Sequence, residues 1–166
     1  MAVDFVPQKF SSDSIFLKKI LVPIDFSQPC LKAMDYALVL AQHFGSQIIL
    51  VHVIRKINPA TRIVVDRPKL QNRLKEEGQR LLNTFVKKHI CLKVSLDKII
   101  RTGVPFDEIV MTAKRYNVDA IVIATHGYSG LKHITMGSTA ERVVRYAPCP
   151  VLVVREKEHE FIIKKK

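Results

Sequence analysis

The sequence predicts an α/β fold: a doubly wound, five-stranded parallel sheet with helices on both faces. Two observations carry that prediction. Short runs rich in Ile and Val alternate along the whole chain with segments of helical periodicity. Runs such as KILVPI, IILVHVI and AIVIA are also apolar almost continuously, instead of at every second residue. Strands of that kind belong in a parallel sheet covered on both sides.

Each element follows in order. Residues 19–24 (KILVPI) form a first strand that ends at Asp25, Phe26 and Ser27. Leu31, Met34, Ala37, Leu38 and Ala41 then recur at helical spacing, and Gly45 closes the helix. Residues 48–54 (IILVHVI) make a second strand, followed by a longer connection over 55–68 bracketed by Pro59 and Pro68. From Lys69 to about His89 the pattern is that of a long amphipathic helix with Leu70, Leu74, Leu81, Leu82 and Phe85 inward. Gly78 inside it costs about 1 kcal/mol relative to alanine. Residues 93–101 alternate more, placing Val94 and Leu96 on one face as an edge strand would. Gly103-Val104-Pro105 opens a third helix, with Asp107 and Glu108 in the first turn, where acids suit the dipole. Residues 119–125 form a fourth strand, 138–147 a helix, and 150–155 (PVLVVR) a fifth strand.

A chain of 166 residues is long enough for one well-buried core and short for two. Neither VPIDFS nor the glycine-rich segment recurs, so one domain is expected over 18–155, with an N-terminal extension at 1–17 and a basic tail at 156–166. No apolar run approaches the roughly 20 residues that span a bilayer. The first residues lack the apolar core of a secretory signal, so a cytoplasmic protein without a membrane partner is expected. The three cysteines, Cys30, Cys91 and Cys149, have no metal-ligand spacing and are expected to be buried free thiols. The net charge of +12 favours polyanionic partners in general. Yet the basic residues are dispersed in short pairs and a tail without interleaved aromatics. That pattern argues for a solvated surface and against a specific nucleic-acid partner.

The chemistry concentrates in ATHGYSGLKHITMGSTA, residues 124–140, which holds three of the six glycines: Gly127, Gly130 and Gly137. The segment contains neither a P-loop nor a G-x-G-x-x-G fingerprint. Gly127-Tyr128-Ser129-Gly130 resembles a nucleophile elbow, but its second glycine comes one residue early, which excludes a serine hydrolase. What remains is a strand, a glycine loop and a helix start. Ser138 and Glu141 fit a capping box, and the same helix start offers free N–H groups and a positive dipole end to a phosphate chain. These two roles, a plain cap or a phosphate seat, both fit the residues. Asp25 at the end of the first strand either caps the next helix or accepts hydrogen bonds from ribose. Ser27 is the better-placed cap, which leaves Asp25 to the ligand. His52 within its strand is expected to be a hydrogen-bonded core residue. His126 in the loop could approach phosphate, and Lys132 and His133 fit either phosphate or water.

At this point the chain closely resembles the universal stress protein family. Its mark is G-x2-G-x9-G-[ST]; here Ala124-Thr125-His126-Gly127, nine residues, then Gly137-Ser138 match it except at the first position. ILVPIDFS, IILVHVI, RTGVPFDEI, VDAIVIATHG and GSTAERVVRYAPCPVLVV follow in the family's order. The resemblance implies an adenine nucleotide alpha hydrolase-like fold that binds ATP, alone or with Mg. Asp25 would hold the ribose, and Val53 would meet adenine through its backbone. Gly127, Gly137, Ser138 and Thr139 would hold the phosphates, with Pro23, Ile24, Ala124, His126 and Gly130 completing the site. It also implies a homodimer formed by antiparallel pairing of the last strand, from Pro150 to Arg155. Binding without turnover is expected, since no residue stands out as a general base for an attacking water. A non-nucleotide-binding interaction module, a slow ATPase and nucleic-acid binding through the +12 charge are the alternatives.

Overall fold

The computed structural model describes residues 16–57, 66–90, 94–125, 136–155 and 162. Strands and helices alternate in it: β1 (Lys19–Pro23), α1 (Gln28–Phe44), β2 (Gln47–Ile54), α2 (Arg67–His89), β3 (Leu96–Thr102), α3 (Pro105–Tyr116), β4 (Ala120–Ala124), α4 (Ser138–Tyr146) and β5 (Val151–Val154). The five strands lie in the order β3-β2-β1-β4-β5. Every neighbouring pair is parallel, with Ile20 opposite both Ile48 and Ala120. The doubly wound sheet expected from the near-continuous apolar runs is therefore present. Element bounds differ from the predicted ones by no more than three residues.

Alternate residues of the strands serve opposite faces. Ile20, Val22, Ile48, Leu50 and Val122 pack with Ala33, Met34 and Ala37 of α1 and with Leu82 and Phe85 of α2. Leu21, Ile49, Val51, Ile121 and Ile123 pack with Ile109 and Ala113 of α3 and with Ala140 and Val143 of α4. Three of the four helix starts have a local cause. Prolines occupy the first turns of α1, α2 and α3, where the missing N–H would have had no partner. Gly45 ends α1 with φ of 68°, donating its N–H to the Ala41 carbonyl, a left-handed cap that costs glycine little.

The predicted inward face of α2 needs correction. Leu82 and Phe85 are buried, but Leu74 and Leu81 are 38% and 41% exposed, and Leu70 is only half-buried. The helix meets the sheet through a narrow stripe of Gly78, Leu82 and Phe85. It lies over β2 and β3, at the sheet edge, so one stripe is all that finds partners. Gly78 lets it approach: a Cβ there would stand 3.2 Å from both the His52 Cδ2 and the Ile54 Cδ1 atoms.

The amino-terminal end of β1 is held by one carboxylate. Asp119, just before β4, accepts the backbone N–H groups of Lys18 and Lys19 through Oδ2, both at 2.8 Å. Its own N–H donates to the Lys19 carbonyl at 2.9 Å. Lys19 Nζ adds a bond to the Tyr116 carbonyl at 3.1 Å. The bracket joins residues about a hundred positions apart and sets the β1–β4 register. Asp119→Ala is expected to lower unfolding free energy by about 2 kcal/mol, as two charge-assisted bonds at a partly exposed site would. A denaturant midpoint shifted by less than the equivalent of about 0.5 kcal/mol would show that the bracket carries no stability.

Candidate functional site

The crossover from β1 runs to β2 on one side, and the chain returns past β1 to β4 on the other. At such a switch point the connections leave in opposite directions and a crevice opens at the strands' carboxyl ends. A cleft of about 400 Å³ lies there. Pro23, Ile24 and Asp25 line it from the end of β1, Val53 from β2, and Ala124 from β4. Gly137, Ser138 and Thr139 close it from the start of α4. Eight of the residues expected at the site are thus brought together. The other three, His126, Gly127 and Gly130, lie outside the described residues, as do Lys132 and His133.

The cleft also takes side chains that the sequence reading did not select. Thr125 follows β4, Arg55 follows β2, Pro105 and Ile109 come from α3, and Cys30 comes from α1. For Thr125, Arg55 and Pro105 a signal existed, since each stands just past a parallel strand or its short following turn. Ile109 and Cys30 read as ordinary core residues, and they are buried.

Two capping expectations are corrected. The N-cap of α4 is Gly137, and no side chain caps it. Ser138 is therefore the first helical residue, and the helix begins one residue earlier than the capping box required. The cause is a long-range bond: Gly137 N–H donates to the Thr125 carbonyl at 2.7 Å, tying both ends of the glycine segment and fixing where the helix begins. With no side-chain cap, the first amides of α4 face the cleft with their hydrogen-bonding capacity unspent inside the helix. Ser27 is the N-cap of α1, but its side chain makes no capping bond. Instead Ser27 N–H and Oγ both donate to Asp25 Oδ1, at 3.0 and 2.5 Å. Asp25 is not the unengaged carboxylate expected. It is oriented, and a carboxylate has about four acceptor sites, more than Ser27 uses.

His52 is hydrogen-bonded, as its place in the strand suggested. Nδ1 lies 2.7 Å from the Ile24 carbonyl, which only accepts, so Nδ1 carries the proton. Ala124 ends β4 opposite Val154, and it is not among the described non-glycine residues with positive φ. The backbone there asks nothing of glycine. Cys30 is buried beside Asp25, and burial together with that charge pushes its thiol up to about 11. Cys149 is only half-buried, contrary to expectation; burial and the charge of Asp119 raise its thiol also. Cys91 lies outside the described residues. Among the described residues no group of His, Cys, Asp or Glu is arranged to hold a metal ion, and no helix is long and apolar enough to cross a membrane.

The sequence model of the universal stress protein family matches residues 17–155. The chain belongs to this family. A universal stress protein of Methanocaldococcus jannaschii, MJ0531, is 35% identical over 145 residues, covering 86% of this chain and 85% of its own. Bacillus subtilis YxiE is 34% identical over 145 residues, 82% of this chain and 98% of its own. Among solved structures, that of MJ0577 superposes with a TM-score of 0.77 at 32% identity, covering 87% of this chain and all of that one. A family protein from Arabidopsis thaliana, solved with AMP bound, has a TM-score of 0.59 at 26% identity, over 84% of this chain and 92% of that one.

In this universal stress protein the cleft thiol should be inert despite its position. A thiol pKa raised from 9.0 to about 11 leaves roughly a hundredfold less thiolate at pH 8, and the thiolate is the nucleophile. Alkylation of Cys30 by iodoacetamide, followed by peptide mass mapping, should be about a hundredfold slower than in unfolded chain. It should accelerate steadily up to about pH 11. Rates equal to those of the unfolded chain would contradict the burial of the thiol against Asp25.

Proposed function

We propose that this protein binds ATP, alone or with Mg, at the carboxyl ends of its strands and acts as a stress-response regulatory module in the cytoplasm. One observation carries the reading. A single cleft at the switch point joins an apolar seat, an oriented carboxylate and an uncapped helix start. Val53 and the side chains of Pro105 and Ile109 suit an adenine ring. Asp25 would accept ribose hydroxyls, and the N–H groups after Gly137 would receive phosphate oxygens. AMP in the Arabidopsis relative supports an adenine nucleotide as the ligand class. Binding and not turnover is the activity: among the described lining residues Asp25 is the one carboxylate, already engaged by Ser27. The dispersed charge supports no sequence-specific nucleic-acid partner.

The test is thermal unfolding and calorimetric titration with ATP, GTP and no nucleotide. ATP at about a hundred times its Kd should stabilise the wild type by about 2.7 kcal/mol. Ala124→Gly should change affinity little, because Ala124 is ordinary strand. Gly137→Val should abolish binding by crowding the phosphates. Asp25→Ala should lose roughly 1.5–3 kcal/mol of ATP affinity per bond removed. No thermal shift in any of these proteins would sink the nucleotide reading and favour an interaction module of the same fold.

We also infer a homodimer. β5 is an edge strand, and Val151–Val154 present an apolar edge with Arg155 alone as a flanking charge. Antiparallel pairing of this strand across a two-fold axis would cover it. Val153→Lys should give monomers by light scattering. A wild type that is already monomeric at micromolar concentration would refute the dimer.

A further inference from the structure

Beside the cleft stands a residue whose backbone conformation its own side chain disfavours. Phe26, directly after Asp25, has φ of 64°. Among the described non-glycine residues it shares a positive φ only with Asn117. Asn117 is the C-cap of α3, where asparagine in this conformation is ordinary. A bulky aromatic is a genuine outlier there and persists only when its surroundings over-determine it.

The surroundings are specific. The Phe26 ring packs on His52 with centroids 4.6 Å apart and an interplanar angle of 44°. Phe85 of α2 meets it edge-on at 6.0 Å. His52 is itself fixed: Nδ1 donates to the Ile24 carbonyl, and α2 closes on its Cδ2 edge at Gly78. Ile24 N–H in turn donates to the Val51 carbonyl at 2.8 Å. Both backbone groups of the residue before Asp25 are therefore tied to β2, and the ring of the residue after it is tied to β2 and α2.

We propose that Phe26 is a positioning residue for Asp25, with His52 and Phe85 as its seat. The left-handed turn at Phe26 brings Ser27 back so that its N–H and hydroxyl both reach Asp25 Oδ1. That pair selects the carboxylate's orientation, and the seated ring keeps the turn from relaxing to negative φ. Glycine would take this φ without strain, but it would leave the turn untethered from β2. The inference rests on the assignment of Asp25 to ribose, and it adds a source for ribose selectivity in Phe26, a residue outside the cleft lining.

The experiment compares calorimetric affinities for ATP, 2′-deoxy-ATP and 3′-deoxy-ATP. The wild type should prefer ATP by about tenfold or more over the analogue lacking the hydroxyl that Asp25 receives. In Phe26→Gly that preference should fall below about threefold, while affinity for the deoxy analogue changes by less than about threefold. Loss confined to the ribose is what a merely structural residue would not produce. Phe85→Leu, which removes one ring contact without touching the cleft, should lower the same preference at least about twofold. It serves as the deciding variant if Phe26→Gly does not unfold cooperatively. A full wild-type preference in either folded variant, or an equal loss for all three nucleotides, would overturn the positioning role and leave Asp25's role intact. A wild type that binds the three equally would instead overturn the assignment of Asp25, and the positioning role with it.

Discussion

The rest of this structure depends on β1 being hydrogen-bonded on both sides. Paired with β2 along one edge and with β4 along the other, it has no free edge. Its carboxyl end therefore opens between neighbours whose connections depart to opposite sides. Ile24 prolongs the tie to β2 for one more residue through its own N–H and carbonyl. Asp25 is then the first position released from the sheet, and it is released into the crevice. At the other end Asp119 holds β1 and β4 in register, so the places where Asp25 and Thr125 emerge are fixed relative to each other.

Packing transmits this order outward. Period-two alternation sends each strand's side chains to two separate cores, one under α1 and α2 and the other under α3 and α4. The two faces are not equivalent in what they do for the cleft. α3 and α4 contribute lining directly, through Pro105, Ile109 and the residues from Gly137 to Ala140. α2 contributes no lining residue, yet through Gly78 and Phe85 it braces His52 and Phe26. A helix with few buried residues on the sheet edge is thereby connected to the carboxylate in the cleft.

The electrostatics of the cleft follow from the same arrangement. The start of α4 has no side-chain cap, and Arg55 is an exposed residue of the cleft lining. Both favour an anion. Asp25 is the countervailing charge, and Ser27 binds it in one orientation. Its proximity, added to burial, keeps Cys30 protonated. The one described thiol of the cleft is thereby held in its unreactive, protonated form.

The alternation of strand and helix, the parallel sheet and the location of the crevice were legible in the residues alone. Each rests on periodicity within a few consecutive residues, and near-continuous apolar strands allow few other layer arrangements. The strand end and the helix start likewise pointed to Asp25, Gly137, Ser138 and Thr139, and the family resemblance added Val53; all five line the cleft. Other features had no local signal. Local spacing made Ser138 the cap, but a bond from Gly137 to Thr125 moves the helix start by one residue. The leucines of α2 read as one apolar face, but its position over the sheet edge leaves Leu74 and Leu81 outward. Nothing adjacent to Phe26 announces positive φ, because the rings that impose it come from β2 and α2. Local sequence determined which elements exist and, to within three residues, where they lie. Contacts between residues far apart in the chain decided which atoms in them are fixed, since those partners meet only once the sheet has set its strand order.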